Sequence, residues 1–83
     1  AQVLDTLAMA LLENQELARA TRAITRAIAI NPNVPTQHYH AARILVARGD
    51  REGAQALLGQ LLETGVDFRE KQDAEALLAE LKQ

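Results

Sequence analysis

An all-α fold of stacked helix hairpins is the expectation from three observations. Apolar residues recur at helical spacing along the whole chain, aromatic residues are nearly absent, and one pattern returns after 34 residues. Leu4, Leu7, Ala8, Leu11, Ala20, Ile24, Ala27 and Pro32 reappear at that offset as His38, Ala41, Ala42, Leu45, Ala54, Leu58, Leu61 and Val66. Such a period marks a unit that cannot bury its apolar face alone and must stack on the next. Sixteen alanines and 13 leucines, against Tyr39 and Phe68 as the only aromatics, favour closely packed helices over sheets or a broad ligand pocket. At 83 residues there is room for one core and not for two.

The first helix is expected from Gln2 to about Glu13, where Leu4, Leu7, Ala8 and Leu11 form one apolar stripe. Asn14-Gln15-Glu16 interrupts it, with Asn14 the residue best suited to a left-handed turn. Leu17, Ala20, Ile24, Ala27 and Ile28 predict a second helix to Ile30, stopped at Asn31-Pro32-Asn33 because proline cannot donate the next hydrogen bond. Pro35 and Thr36 suit the start of a third helix, proline at its first turn and threonine as cap, and Ala41, Ala42 and Leu45 continue inward until Gly49. Asp50 caps a fourth helix that carries Ala54, Leu57, Leu58 and Leu61 and ends at Gly65. Asp67 and Glu70 have the spacing of a reciprocal capping box for a fifth, with Ala74, Leu77, Leu78 and Leu81 inward. That lone helix, with Glu75, Glu80 and Lys82 outward, reads as the terminal cap of an array. The start at Ala1, already in helical pattern by Val3, is what a piece cut from a longer protein would show.

Composition removes several function classes. The net charge of −2 lacks the attraction that drives non-specific nucleic-acid binding. The longest apolar run, Leu7 to Leu12, is far short of the roughly 20 residues that cross a bilayer, so direct membrane insertion is not expected. A soluble segment on the cytoplasmic or periplasmic side of a bacterial cell fits these features. Without cysteine there is no disulfide, thiolate metal site or thiol nucleophile, and there is no serine either. No constellation of nucleophile and base, or of paired carboxylates in a cleft, points to an enzyme or to a cofactor.

Two clusters call for weighing. His38-Tyr39-His40 offers two imidazoles, but residues i and i+2 of a helix point about 200° apart, and neither histidine has an acid at i+3 or i+4. Packing or helix-start hydrogen bonding is the expected role. Arg19, Arg22 and Arg26 line the second helix, where a solvated surface is expected over phosphate or lipid binding.

These residues resemble the tetratricopeptide repeat, a 34-residue unit with a large residue at position 4, Leu at 7, a small residue at 8, a large one at 11, Ala at 20, a large apolar residue at 24, Ala at 27 and Pro at 32. Residues 1–34 follow this frame, except that Gln15 replaces the usual glycine. Residues 35–68 follow it more loosely, with His38, Leu61 and Val66 at divergent positions, and 69–83 supply the capping helix. The resemblance implies a single domain, a right-handed α-solenoid of two antiparallel hairpins plus a cap. The combination Leu4-Asp5-Thr6-Leu7-Ala8, Tyr39-His40-Ala41-Ala42, Gly49-Asp50 and Asp67-Phe68 is also similar to the C-terminal end of bacterial tetratricopeptide proteins, among them lipoproteins associated with exosortase (PEP-CTERM) export systems.

The resemblance further implies a protein-interaction scaffold whose concave groove holds a peptide or partner surface. Its groove positions fall on Gln2, Asp5, Met9, Leu12 and Glu13 in the first unit and on Thr36, Tyr39, Arg43, Val46 and Ala47 in the second. Asp5, Met9, Leu12, Tyr39, Arg43 and Val46 are the candidate contact residues, with Arg43 as the charged anchor for a carboxylate. The Lys and Asn that hold a chaperone's C-terminal carboxylate in some relatives are not reproduced at Asp5 and Met9 or at Tyr39 and Arg43. The alternative role is a structural cap of a longer solenoid, with self-association through an exposed first hairpin.

Overall fold

A computed structural model describes residues 2–83, which form α1 (Gln2–Glu13), α2 (Leu17–Ile30), α3 (Pro35–Ala47), α4 (Arg51–Glu63) and α5 (Lys71–Leu81). No strand occurs among the described residues. Ala1, first residue of the expected first unit, lies outside them. Helices α1 and α2 pair as one hairpin and α3 and α4 as another, with α3 packed on both α1 and α2, and α5 on α4. The architecture is an α-solenoid of helix hairpins.

The two hairpin turns share one geometry. In the first, the Glu16 N–H donates to Leu11 O at 2.9 Å and the Gln15 N–H to Leu12 O at 3.0 Å. In the second, the Asp50 N–H reaches Leu45 O at 2.9 Å and the Gly49 N–H reaches Val46 O at 3.0 Å. Both are Schellman endings, in which the residue after the cap turns left-handed to satisfy the last carbonyls. Gln15 (φ 63°) and Gly49 (φ 85°) hold that place, so Gln15 takes the turn expected of Asn14. The reason is register: the hydrogen-bond pattern fixes which residue turns, and Asn14 is still one residue too early. A non-glycine side chain in this conformation costs about 1–2 kcal/mol. Gln15→Gly is therefore expected to raise stability by about 0.5–1 kcal/mol, after the greater freedom of glycine in the unfolded chain is set against the relieved strain. A shift of the urea midpoint to higher concentration at unchanged slope checks it.

Helix starts divide into one expected cap and two replaced ones. Asp50 Oδ1 accepts from the Gly53 N–H at 2.9 Å, as its position before α4 predicts. A Cβ on Gly53 would stand 2.5 Å from Asp50 Oδ2, so a larger residue there would require the exposed Asp50 carboxylate to shift. Thr36 does not cap α3, since Pro35 occupies the first turn and Val34, which offers no side-chain bond, is the cap residue. The Asp67–Glu70 capping box does not form either, because α5 begins only at Lys71. The two residues freed by these departures meet: Thr36 Oγ1 donates to Glu70 Oε1 at 2.8 Å and fastens the start of α5 to the start of α3. The far end of α5 is fastened as well, with Gln55 Nε2 donating to Leu81 O at 2.8 Å and Arg51 Nη2 to the same oxygen at 3.1 Å. Those bonds satisfy a carbonyl that the helix end leaves without a partner.

The core forms two clusters that share α3. Ala8, Leu11, Ala20, Ala23 and Ile24 of the first hairpin enclose Ile44, which is 1% exposed. Ala42, Ala54, Leu58, Ala74 and Leu81 make the second, flanked by Leu45, Leu57, Leu77 and Leu78. Helix α3 is thus a wedge: Ala41 and Ile44 face backwards, and Ala42 and Leu45 face forwards. Alanine at the crossing points lets the backbones approach, so short side chains still exclude water. Leu7 departs from the stripe expected of α1: it is 44% exposed and its neighbour Val3 is 81% exposed. The same face 34 residues on is covered, because Gln37 and Ala41 pack beneath the first hairpin.

Candidate functional site

Helices α1, α3 and α5 border one side of the molecule, where the candidate contact residues gather. Position 9 and position 43 stand 34 residues apart and so fall at equivalent places on α1 and α3, which brings Met9 and Arg43 together: Arg43 Nη1 lies 3.6 Å from Met9 Sδ. The Arg43 guanidinium carbon is 6.0 Å from the centroid of the Tyr39 ring, one turn back on α3. Leu12, Val46, Ala47 and Leu77 line a shallow, open depression of about 250 Å³ beside it. Met9, Leu12, Tyr39 and Val46 are half-buried, whereas Arg43 is exposed. Among the described residues no carboxylate pairs with Arg43, so its charge is turned to solvent above an apolar floor.

Tyr39 stays a neutral phenol in this setting. Burial pushes its hydroxyl above the usual 10.0, and Asp73 and Glu70 add to the rise while Arg43 opposes it. The ring therefore offers a donating hydroxyl across the physiological range.

Asp5 has a different role from its neighbours. Its Oδ1 accepts from His40 Nδ1 at 2.7 Å and its Oδ2 lies 3.0 Å from the same atom, with both side chains mostly buried. The pair braces α1 against α3 and engages the Asp5 carboxylate. It sits in the wall of a polar hollow of about 560 Å³ at the starts of these helices, with Thr36, Gln37 and Glu70. Gln37 Nε2 donates to Asn31 O at 3.0 Å, which ties the loop before α3 to that helix. Gln2 and Glu13 are exposed at the two ends of α1.

The two histidines have separate partners. His38 Nε2 meets Pro32 O at 2.7 Å, a bond near the helix start, while His40 turns to Asp5. The rings do not converge, in keeping with the helical angle between i and i+2. On the opposite side, Arg19, Arg22 and Arg26 are exposed along α2, and Arg19 forms a surface pair with Glu16 at 2.7 Å. A pair of that kind contributes at most about 1 kcal/mol.

Sequence reasoning missed His40 as the partner of Asp5 and Leu77 as a wall of the groove. A signal for the first exists: with the 34-residue offset Asp5 maps to Tyr39, so His40 is one residue from the facing position. No signal placed Leu77, because the angle at which α5 docks is set by packing and not by its stripe.

The model of the tetratricopeptide repeat family matches residues 11–81. The chain belongs to this family. The match begins at Leu11, near the end of α1, and runs to the last residue of α5, so it takes in α2, the second hairpin and the final helix. No curated protein and no solved structure matches the sequence. Tetratricopeptide repeats mediate protein–protein interaction in general and act as non-catalytic scaffolds. No helix of the described residues is long and apolar enough to cross a membrane.

Proposed function

We propose that this tetratricopeptide domain binds a peptide or partner surface on the side lined by α1, α3 and α5, through Met9, Leu12, Tyr39, Arg43 and Val46, with Asp5 holding the helices in place. The observation that carries the reading is the unpaired, exposed Arg43 set over half-buried apolar side chains. A tyrosine, a methionine and an arginine on a shared apolar floor have the composition of an interaction surface. Residues 1–34 and 35–68 act as the two repeats in this reading and 69–83 as the cap. It is a binding scaffold without catalysis or cofactor, of bacterial type, and its likeness to the exosortase-associated lipoproteins rests on the short motifs quoted above.

A second reading, a structural cap of a longer solenoid, draws on Val3 and Leu7. Their equivalents 34 residues on, Gln37 and Ala41, are covered by the preceding hairpin, so the exposed pair suits a further hairpin or self-association.

The contrast between the two sides tests the first reading. Arg43→Glu is expected to remove the proteins that the tagged wild-type protein retains from a lysate, and Arg22→Glu on α2 to leave them. Equal effects of the two reversals would place the surface elsewhere.

A further inference from the structure

We infer that the polar hollow at the starts of α1, α3 and α5 is a binding site for a primary ammonium group, held by the side chains of Gln37, Asp5 and Glu70. Its lining shares no residue with the depression beside Arg43, so it is a second site, independent of the function proposed for that surface. Two observations carry it.

The first is an acceptor without a donor. Gln37 lines the hollow of about 560 Å³, and it is the one buried polar side chain among the described residues, at 2% exposed. Its Nε2 donates to Asn31 O at 3.0 Å, which holds the amide in one orientation, while its Oε1 is buried with no hydrogen-bond partner. A buried oxygen left unmet costs free energy that an incoming N–H recovers. The residue 34 positions earlier is Val3, so the repeat pattern does not ask for an acceptor here. The bond to Asn31 accounts for the nitrogen of Gln37 and leaves its oxygen unexplained.

The second is charge. Asp5 and Glu70 border the same hollow and are both half-buried. Each engages a neighbour, Asp5 through His40 Nδ1 and Glu70 through Thr36 Oγ1, but Glu70 Oε2 has no partner among the described residues. An anion would depend on free N–H groups at the helix starts, and α3 supplies few: Pro35 has none, and the Gln37 N–H donates to Val34 O at 3.1 Å. The positive ends of α1 and α5 are offset by Asp5 and Glu70 in turn. Arg69 also borders the hollow, but it is exposed, where water and salt screen its charge. A primary ammonium has three donors and no acceptor, which suits walls that offer acceptors, and Val34 gives its alkyl stem an apolar wall.

Butylammonium chloride is the probe, titrated into the ¹⁵N-labelled 83-residue chain beside tetramethylammonium chloride, which has the charge without an N–H, and butanol, which has the stem without the charge. Saturable shifts of the Gln37 side-chain amide and of the His40 and Glu70 backbone amides are expected with butylammonium, several-fold weaker binding with tetramethylammonium and none with butanol. Acetyl-Ala-Lys-Ala-amide separates the two sources of such a group. Binding equal to butylammonium assigns the site to a lysine of a partner, and much weaker binding assigns it to a free alkyl amine. Gln37→Met, close in size and without the acceptor, is expected to bring butylammonium down to the level of tetramethylammonium. Glu70→Gln, which still accepts from Thr36, is expected to weaken it several-fold on an unchanged fold. Equal binding of the two cations by the wild type would overturn the inference and leave a general attraction of cations to carboxylates. Undiminished butylammonium binding by either variant would overturn it as well, and so would the absence of saturable shifts.

Discussion

Leu58→Ala is expected to destabilise the domain by about 3–5 kcal/mol, the upper part of the range for truncating a buried leucine. Leu58 is fully buried, and its cluster includes Ala42, Ala54 and Ala74. Collapse around a new void relies on side chains that can swing into it; the three alanines have none to move, which leaves that to the flanking leucines. The backbones meet at these alanines, so closing the gap would require whole helices to shift. For a domain of this size each kcal/mol lowers Tm by about 4–8 °C, which puts the expected fall at roughly 12–40 °C. The exposed Leu7→Ala is the matched control, with an expected change within about 0.5 kcal/mol. Thermal unfolding followed by circular dichroism checks both. A Leu58→Ala variant that melts with the wild type would show that the second cluster is not packed as described.

Substituting Met9, Tyr39 and Arg43 together by alanine is expected to weaken partner binding by at least about 100-fold, since arginine and tyrosine are frequent sites where truncation costs roughly 2 kcal/mol or more. The three side chains touch in sequence across the gap between α1 and α3: Arg43 on Met9 at 3.6 Å, and over Tyr39 at 6.0 Å. Their effects are therefore not additive, because removing Arg43 also loosens the two residues that orient it. The fold is expected to survive. Arg43 is exposed, while Met9 packs against the edge of the first core cluster and Tyr39 against the edge of the second, so the triple change lowers stability but keeps the fully buried Ile44, Leu58 and the alanines of both clusters. Helical content equal to that of the wild type is the expected control result.

Helix boundaries were legible where backbone chemistry dictates them. Pro35 and Asp50 open α3 and α4, and Gly49 and Gly65 turn left-handed behind them, as glycine permits. The turn at Gln15 was not, because Asn14 satisfies the residue preference while the hydrogen-bond register selects its neighbour. Most of the core was legible. Spacing found Ala8, Leu11, Ala20, Ile24, Ala27, Ala42, Ala54, Leu58, Leu61, Ala74 and Leu81, but it passed over Ala23 and assigned one stripe to α3, which faces two ways and buries Ile44 behind Ala41. Periodicity within one helix reports an apolar face and not the number of neighbours it meets. Of the candidate site, the 34-residue offset brought Met9 and Arg43 together, and the resemblance supplied the positions. Thr36 and Glu70 meet at the same offset, whereas Asp5 meets His40 one residue beyond it, a displacement set by how far α1 and α3 are shifted along each other.

The proposal that this domain binds a partner between α1, α3 and α5 meets its most direct test in one comparison. Proteins retained from a lysate by the tagged wild-type protein are measured against those retained by the variant with alanine at Met9, Tyr39 and Arg43, with both proteins shown to be folded by circular dichroism. Loss of specific proteins on substitution, while they persist with the Arg22→Glu variant, is the predicted result. The same proteins retained in the same amounts by the folded triple variant would contradict it and leave the domain as a cap of a longer solenoid.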